Sequence, residues 1–138
     1  MARIVVVDDN REMVDMLCLA LRVIGHDPVA AYGGEHAIEI LEERLPDAVL
    51  LDWMMPGIDG KEALRRIRAI PGVDGMPVIV LTASAAHDLE AHVLAAGATG
   101  CILKPVSLDV LAKSIAQFVN LPVRAGLDGR LAASTPVS

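Results

Sequence analysis

Four short apolar runs in this chain each end on a carboxylate, a hydroxyl or an amine. Ile4–Val7 leads into Asp8-Asp9, Ala48–Leu51 into Asp52, Val78–Leu81 into Thr82, and Cys101–Leu103 into Lys104-Pro105. Continuous apolar runs of this length read as strands covered on both faces, the habit of a parallel sheet. In open parallel sheets the working groups collect just beyond the carboxyl ends of the strands. The pattern therefore predicts three carboxylates, a hydroxyl and an amine at one edge.

The segments between these runs carry helical period. Residues 11–24 place Met13, Leu17, Ala20, Leu21 and Ile24 on one face, closed by Gly25. Residues 27–32 form a weaker strand, with Pro28 where a backbone N–H is not needed. A helix over 35–44 points Ala37, Ile38 and Leu41 inward and stops before Pro46. Asp59 is placed to cap a helix over 60–69, and Gly97 to close one over 88–96. Ser107 opens a last helix through Val119 with Leu108, Leu111, Ile115 and Phe118 inward. The order is βα repeated five times, so the expected fold is α/β, a doubly wound five-stranded parallel sheet with five helices. From about residue 120 the periodicity fails, and 120–138 reads as a flexible C-terminal tail without an output domain.

A chain of 138 residues, 54% hydrophobic, has enough material for one domain with a real core. The net charge of −6 argues against nucleic acid, which needs a basic face. No stretch reaches the length of a membrane span, and the first residues are too brief for a signal peptide. Cys18 and Cys101 show neither disulfide-framework nor metal spacing and fit reduced thiols of a cytoplasmic protein. His26, His36, His87 and His92 lack metal or triad spacing and read as surface or helix-face residues.

Asp8, Asp9 and Asp52 are hard oxygen ligands suited to Mg²⁺, and their mutual repulsion calls for a divalent cation. One carboxylate beside the metal can attack phosphorus as a nucleophile. Thr82 and Lys104 supply a hydroxyl and a compact positive charge for the phosphoryl oxygens. Each residue alone has an ordinary structural explanation as a cap, strand end or turn. Their equivalent placement on different strands favours a common site.

Over roughly residues 2–119 the chain resembles the receiver domain of two-component response regulators, and in particular a single-domain response regulator. The matching motifs are Asp8-Asp9, Asp52-Trp53-Met54-Met55-Pro56-Gly57-Ile58-Asp59-Gly60, Thr82-Ala83 and Lys104-Pro105. The resemblance implies a flavodoxin-like sheet of strand order 2-1-3-4-5 over a receiver domain spanning 1–119. It implies that Asp52 accepts phosphate from a histidine kinase or histidine phosphotransfer protein. Asp8, Asp9, Asp52 and the backbone carbonyl of Met54 would hold Mg²⁺, with Thr82 and Lys104 on the phosphoryl group. The Lys104–Pro105 bond would be cis. The product would be a signalling switch acting on a downstream protein, as a monomer or weak dimer, and not an enzyme on other substrates.

The chain departs from the family pattern at Cys101, where a switch aromatic commonly stands. A small buried thiol there shifts the expected signal route to Thr82 and residues 83–86. Met54 and Ser84 occupy the positions that tune phosphate lifetime; Met54 cannot orient an attacking water and Ser84 would do so only weakly, so slow self-dephosphorylation is expected. Val14 and Cys18 lie one turn apart on the first helix, off its expected core face, and are expected to form an exposed strip for partner docking. A phosphate sink and an excised hybrid-kinase receiver are the closest alternatives. A haloacid-dehalogenase-type phosphatase needs a second acid where Met54 stands. A Rossmann-like nucleotide binder needs a glycine-rich turn where Asp8-Asp9-Asn10 stands. An inert pseudo-receiver would have lost the acids.

Overall fold

The computed structural model describes residues 1–55, 57–83 and 87–120. The expected roles of Ser84, of the loop 84–86 and of the tail 121–138 lie outside the described residues, as does Pro56. The elements alternate as β1 (Arg3–Val7), α1 (Arg11–Val23), β2 (Asp27–Ala31), α2 (Gly34–Glu43), β3 (Ala48–Asp52), α3 (Gly60–Arg68), β4 (Val78–Thr82), α4 (His87–Ala95), β5 (Gly100–Leu103) and α5 (Leu108–Asn120). The five strands form one parallel sheet in the order β2-β1-β3-β4-β5. The expected doubly wound, flavodoxin-like topology is the observed one.

Alternation along the strands divides the core between the two faces. Val5, Val7, Val49, Leu51, Val78 and Val80 pack with Ala37, Leu41, Ala63, Leu64, Ile67 and Val93 of α2, α3 and α4. Ile4, Val6, Ala48, Leu50, Ile79, Leu81 and Ile102 face Val14, Leu17, Cys18, Leu21, Leu111 and Ile115 of α1 and α5. Every residue of β3 and β4 is buried, as expected for central strands of a parallel sheet. Pro28 sits on β2, an edge strand that pairs only with β1.

Three expectations about helix faces are corrected. Val14 is fully buried and Cys18 is 5% exposed, so neither forms an exposed strip. The inward face of α1 runs Val14, Leu17, Cys18, Leu21, a clean 3.6-residue stripe, with Met13 and Ala20 at its margins. The apolar residues that α1 does expose are Met16, Leu19 and Val23. Leu108 is 45% exposed, because it opens α5 directly after the cap, before the helix meets the sheet.

The caps follow the sequence. Asp59 Oδ1 accepts from the Glu62 N–H at 2.9 Å, and Ser107 Oγ from the Val110 N–H at 3.1 Å. Gly97 follows α4 at φ 113°, the left-handed position that favours glycine. Gly60 answers a different demand. A Cβ there would lie 2.5 Å from Trp53 Cα and 2.6 Å from the Trp53 carbonyl oxygen. The start of α3 is thus pressed against the loop that leaves β3.

Candidate functional site

The strand order reverses between β1 and β3, and at such a switch point the connections diverge to opposite faces and leave a crevice. Asp8 follows β1 and Asp52 ends β3 on the two sides of that crevice. Thr82 ends β4, paired in register with Leu103 of β5, so Lys104 emerges one residue beyond it. The Lys104 N–H donates to the Thr82 carbonyl at 2.7 Å, which fixes the start of the turn. The Lys104–Pro105 peptide bond is cis, as the family resemblance implied.

Asp8, Asp9 and Asp52 each offer a carboxylate oxygen, and these oxygens lie within 4.8 Å of one another. Asp8 and Asp52 are buried and Asp9 is exposed, so the cluster has a dry floor and an open rim. Lys104 Nζ donates to Asp52 Oδ1 at 2.8 Å and stands 3.8 Å from Asp8 Oδ2. The second distance gives an ion pair but is too long for a hydrogen bond. Asp8 Oδ1 accepts the Asn10 N–H at 3.0 Å. Asp8 Oδ2 is buried without any hydrogen-bond partner.

That orphaned oxygen matters because a buried acceptor without a partner loses its hydration uncompensated. Burial pushes the Asp8 carboxyl up to about 6. The Asn10 N–H opposes this, the negative charge of Asp52 adds to it, and Lys104 opposes it again. One ammonium against three carboxylates leaves the cluster net negative. Clustered carboxylate oxygens, one of them unsatisfied, are the donor set that a hard divalent cation takes.

Thr82 is 4% exposed at the end of β4, beside this edge. Met54 is 74% exposed in the loop after β3, with its side chain in solvent. Cys101 is half-buried and packs against the cluster that contains Val93. Burial, with a smaller effect from Glu90, raises its thiol pKa, which keeps it protonated and apolar. The sequence reading of Cys101 as a small hydrophobe is consistent with this environment.

Two residues with structural roles escaped the sequence reading, Asn10 at the site and Arg68 at the opposite edge of the sheet. Asn10 both fixes Asp8 through its N–H and caps α1, its side-chain oxygen accepting from the Met13 N–H at 3.2 Å. Its signal was present, an Asn directly before an apolar periodic run. Arg68 ties the end of α3 to three turns, donating to the carbonyls of Gly97, Val73 and Met76 at 2.9, 3.2 and 2.7 Å. Nothing in the sequence pattern signals it, because its partners are carbonyls from separate turns.

The sequence model of the response regulator receiver domain matches residues 4–116. The phosphate regulon transcriptional regulatory protein PhoB of Rhizobium meliloti is 37% identical over 109 residues, 79% of this chain and 48% of that protein. The chain spans about half the length of the curated relatives it matches. Among solved structures, the receiver domain of sensor histidine kinase PA1611 from Pseudomonas aeruginosa aligns with a TM-score of 0.79 at 28% identity, covering 86% of this chain and 98% of that one. That structure has a magnesium ion coordinated in its active site cleft. Chemotaxis protein CheY4 of Vibrio cholerae aligns with a TM-score of 0.81 at 25% identity, covering 86% and 98%. Among the described residues no helix is long and apolar enough to cross a membrane. With the family model spanning most of its length, the chain belongs to the response regulator receiver domains of two-component signalling.

Proposed function

We propose that Asp52 accepts a phosphoryl group from a phosphohistidine on a histidine kinase or histidine phosphotransfer protein. One observation carries this reading: Asp8, Asp9 and Asp52 converge within 4.8 Å with Lys104 bonded to Asp52, while the buried Asp8 Oδ2 lacks a hydrogen-bond partner. Asp8, Asp9 and Asp52, with the Met54 backbone carbonyl, are the residues that would hold Mg²⁺. When bound, Mg²⁺ neutralises the carboxylates and the charge on the phosphoryl oxygens.

A carboxylate oxygen of Asp52 attacks phosphorus in line; the O–P bond forms as the P–N bond to the donor imidazole breaks. The imidazole, carrying a proton on its other ring nitrogen, takes the bonding pair and leaves as the neutral ring. Lys104, already 2.8 Å from Asp52 Oδ1, moves its charge onto an equatorial phosphoryl oxygen, and the Thr82 hydroxyl donates to another. The dry floor made by Asp8 and Asp52 strengthens both interactions. The chain thereby acts on its own aspartate and serves as a switch for a downstream protein. Met16, Leu19 and Val23, which are 55%, 61% and 66% exposed on α1, are the apolar residues offered to the histidine-bearing partner. Met54, two residues past the acceptor, cannot orient a hydrolytic water, and the phosphorylated form is long-lived.

Trp53 is the only tryptophan of the chain and adjoins Asp52, so its fluorescence reads the site. Mg²⁺ and then a small acyl phosphate should change the emission in two steps. Asp52→Asn should abolish the second. A native protein silent to both additions contradicts the proposal.

A further inference from the structure

The two carboxylate oxygens of Asp8 stand in different states. Oδ1 accepts the Asn10 N–H at 3.0 Å, whereas Oδ2 is buried with no hydrogen-bond partner. The Asp8 backbone is fixed as well, its N–H donating to the Ala31 carbonyl at 3.2 Å. On that fixed backbone, the bond from Asn10 opposes rotation of the carboxyl group, because turning it away would break the contact. Oδ2 is the oxygen of Asp8 left for a cation.

The aim of that N–H is set by the Asn10 side chain. Asn10 is the N-cap of α1, with extended backbone at φ −82° and ψ 104°. Its Oδ1 accepts the Met13 N–H at 3.2 Å, and its carbonyl accepts the Val14 N–H at 3.1 Å. The residue is thus tied forward into the first turn of the helix while its own N–H points back at Asp8. Asn10 is exposed, so the cap and not packing holds this conformation. An alanine there keeps the backbone N–H but loses the bond that aims it.

The way a carboxylate is presented discriminates between hard cations. Mg²⁺ is small, demands near-octahedral geometry and is held by one or two carboxylates with water completing its shell. Ca²⁺ takes more oxygens in looser geometry and accepts both oxygens of one carboxylate. With Oδ1 engaged by the Asn10 N–H, Asp8 offers one oxygen in a set position, which suits the smaller ion. We propose that Asn10 is a positioning residue: by capping α1 it holds Asp8 as a one-oxygen ligand and so favours Mg²⁺ over Ca²⁺ at the acidic edge. The inference rests on the proposed cation role of Asp8, Asp9 and Asp52 and goes beyond it, since Asn10 supplies no ligand itself. The coupling runs through the backbone, so any good cap at this position sustains it. Serine is a good cap and alanine is not.

The test titrates Mg²⁺ and Ca²⁺ separately into the full chain by isothermal calorimetry. Asn10→Ala should weaken Mg²⁺ binding about fivefold, somewhat less than the roughly tenfold cost of removing a ligand's hydrogen-bond partner outright, and Ca²⁺ binding by at most about twofold. Asn10→Ser should restore most of the Mg²⁺ affinity. Arg68→Ala removes a clamp at the opposite edge of the sheet, so it should lower the melting temperature and leave both affinities unchanged. In the metal-free chain, amide exchange at residue 10 should quicken in Asn10→Ala and not in Arg68→Ala. Native Mg²⁺ affinity in Asn10→Ala overturns the proposal and leaves the cation site standing. An equal loss for the two cations, or a serine variant no better than alanine, also overturns it. A native chain that binds neither cation overturns the cation site and this inference with it.

Discussion

Lys104 and Asp52 meet at 2.8 Å although 52 residues of chain separate them, and they are the only hydrogen-bonded opposite charges at the acidic edge among the described residues. The pair joins the end of β3 to the turn after β5 and places a cation over a cluster that would otherwise be wholly negative. Removing Lys104 alone leaves two buried carboxylates facing each other. Lys104→Ala should therefore destabilise the metal-free protein by roughly 2 kcal/mol, less than for a fully buried pair because the ammonium is partly exposed. Adding Asp52→Asn to Lys104→Ala should recover most of that loss. Urea unfolding of the two single variants and the double variant measures the coupling.

The raised pKa of Asp8 fixes the sign of a pH effect. Its folded value of about 6 exceeds the ordinary 3.8, so the folded state holds this proton more tightly than the unfolded chain does. The metal-free protein draws most stability from Asp8 below about pH 4 and loses it as pH rises to about 6. At about 1.4 kcal/mol per pH unit, the contribution is roughly 3 kcal/mol. Asp8→Asn should raise metal-free stability at pH 7.5 and leave it nearly unchanged at pH 4. A divalent cation needs the ionised carboxylate, so native Mg²⁺ affinity should climb through about pH 6. Urea melts at both pH values, with and without Mg²⁺, test both statements.

Gly60 is expected to tolerate no side chain. An alanine Cβ would sit 2.5 Å from Trp53 Cα, against backbone that cannot swing aside. Gly60→Ala should cost about 1–3 kcal/mol through overpacking and displace the loop after Asp52. Chemical denaturation gives the first quantity, and a shift in native Trp53 emission reports the second.

Arg68 should prove to be a structural clamp. Its guanidinium serves the carbonyls of Gly97, Val73 and Met76 and approaches Thr99 Oγ1 at 3.4 Å. Arg68→Ala leaves those carbonyls without their charged donor and should cost roughly 2 kcal/mol. Arg68→Lys should rescue only part of it, since an ammonium cannot reach in several directions from one fork. Amide exchange should quicken selectively at residues 96–99.

The strands were legible because each is short, apolar and bounded by polar residues, and parallel burial leaves no competing period. The site was legible for the same reason: Asp8, Asp52, Thr82 and Lys104 interrupt those runs at equivalent ends. Helix α1 was harder. Met13, Val14, Met16, Leu17, Cys18, Leu19, Ala20, Leu21 and Val23 leave little polar contrast around the helix, so hydrophobicity alone did not choose between neighbouring stripes. Packing on the sheet selected Val14 and Cys18 and left Met16, Leu19 and Val23 outside. Two adjacent aspartates likewise gave no sign that Asp8 would be buried and Asp9 exposed. That asymmetry comes from the Asn10 N–H and the neighbouring strands, which turn Asp8 inward.

The central claim is that Asp52 carries the phosphoryl group. Intact-protein mass spectrometry after incubation with Mg²⁺ and a phosphohistidine-bearing donor domain tests it most directly. The account predicts the mass of one added phosphoryl group on the native chain, its loss when Mg²⁺ is chelated beforehand, and no addition to Asp52→Asn. A native chain that stays unmodified, or an Asp52→Asn chain modified to the same extent, contradicts it.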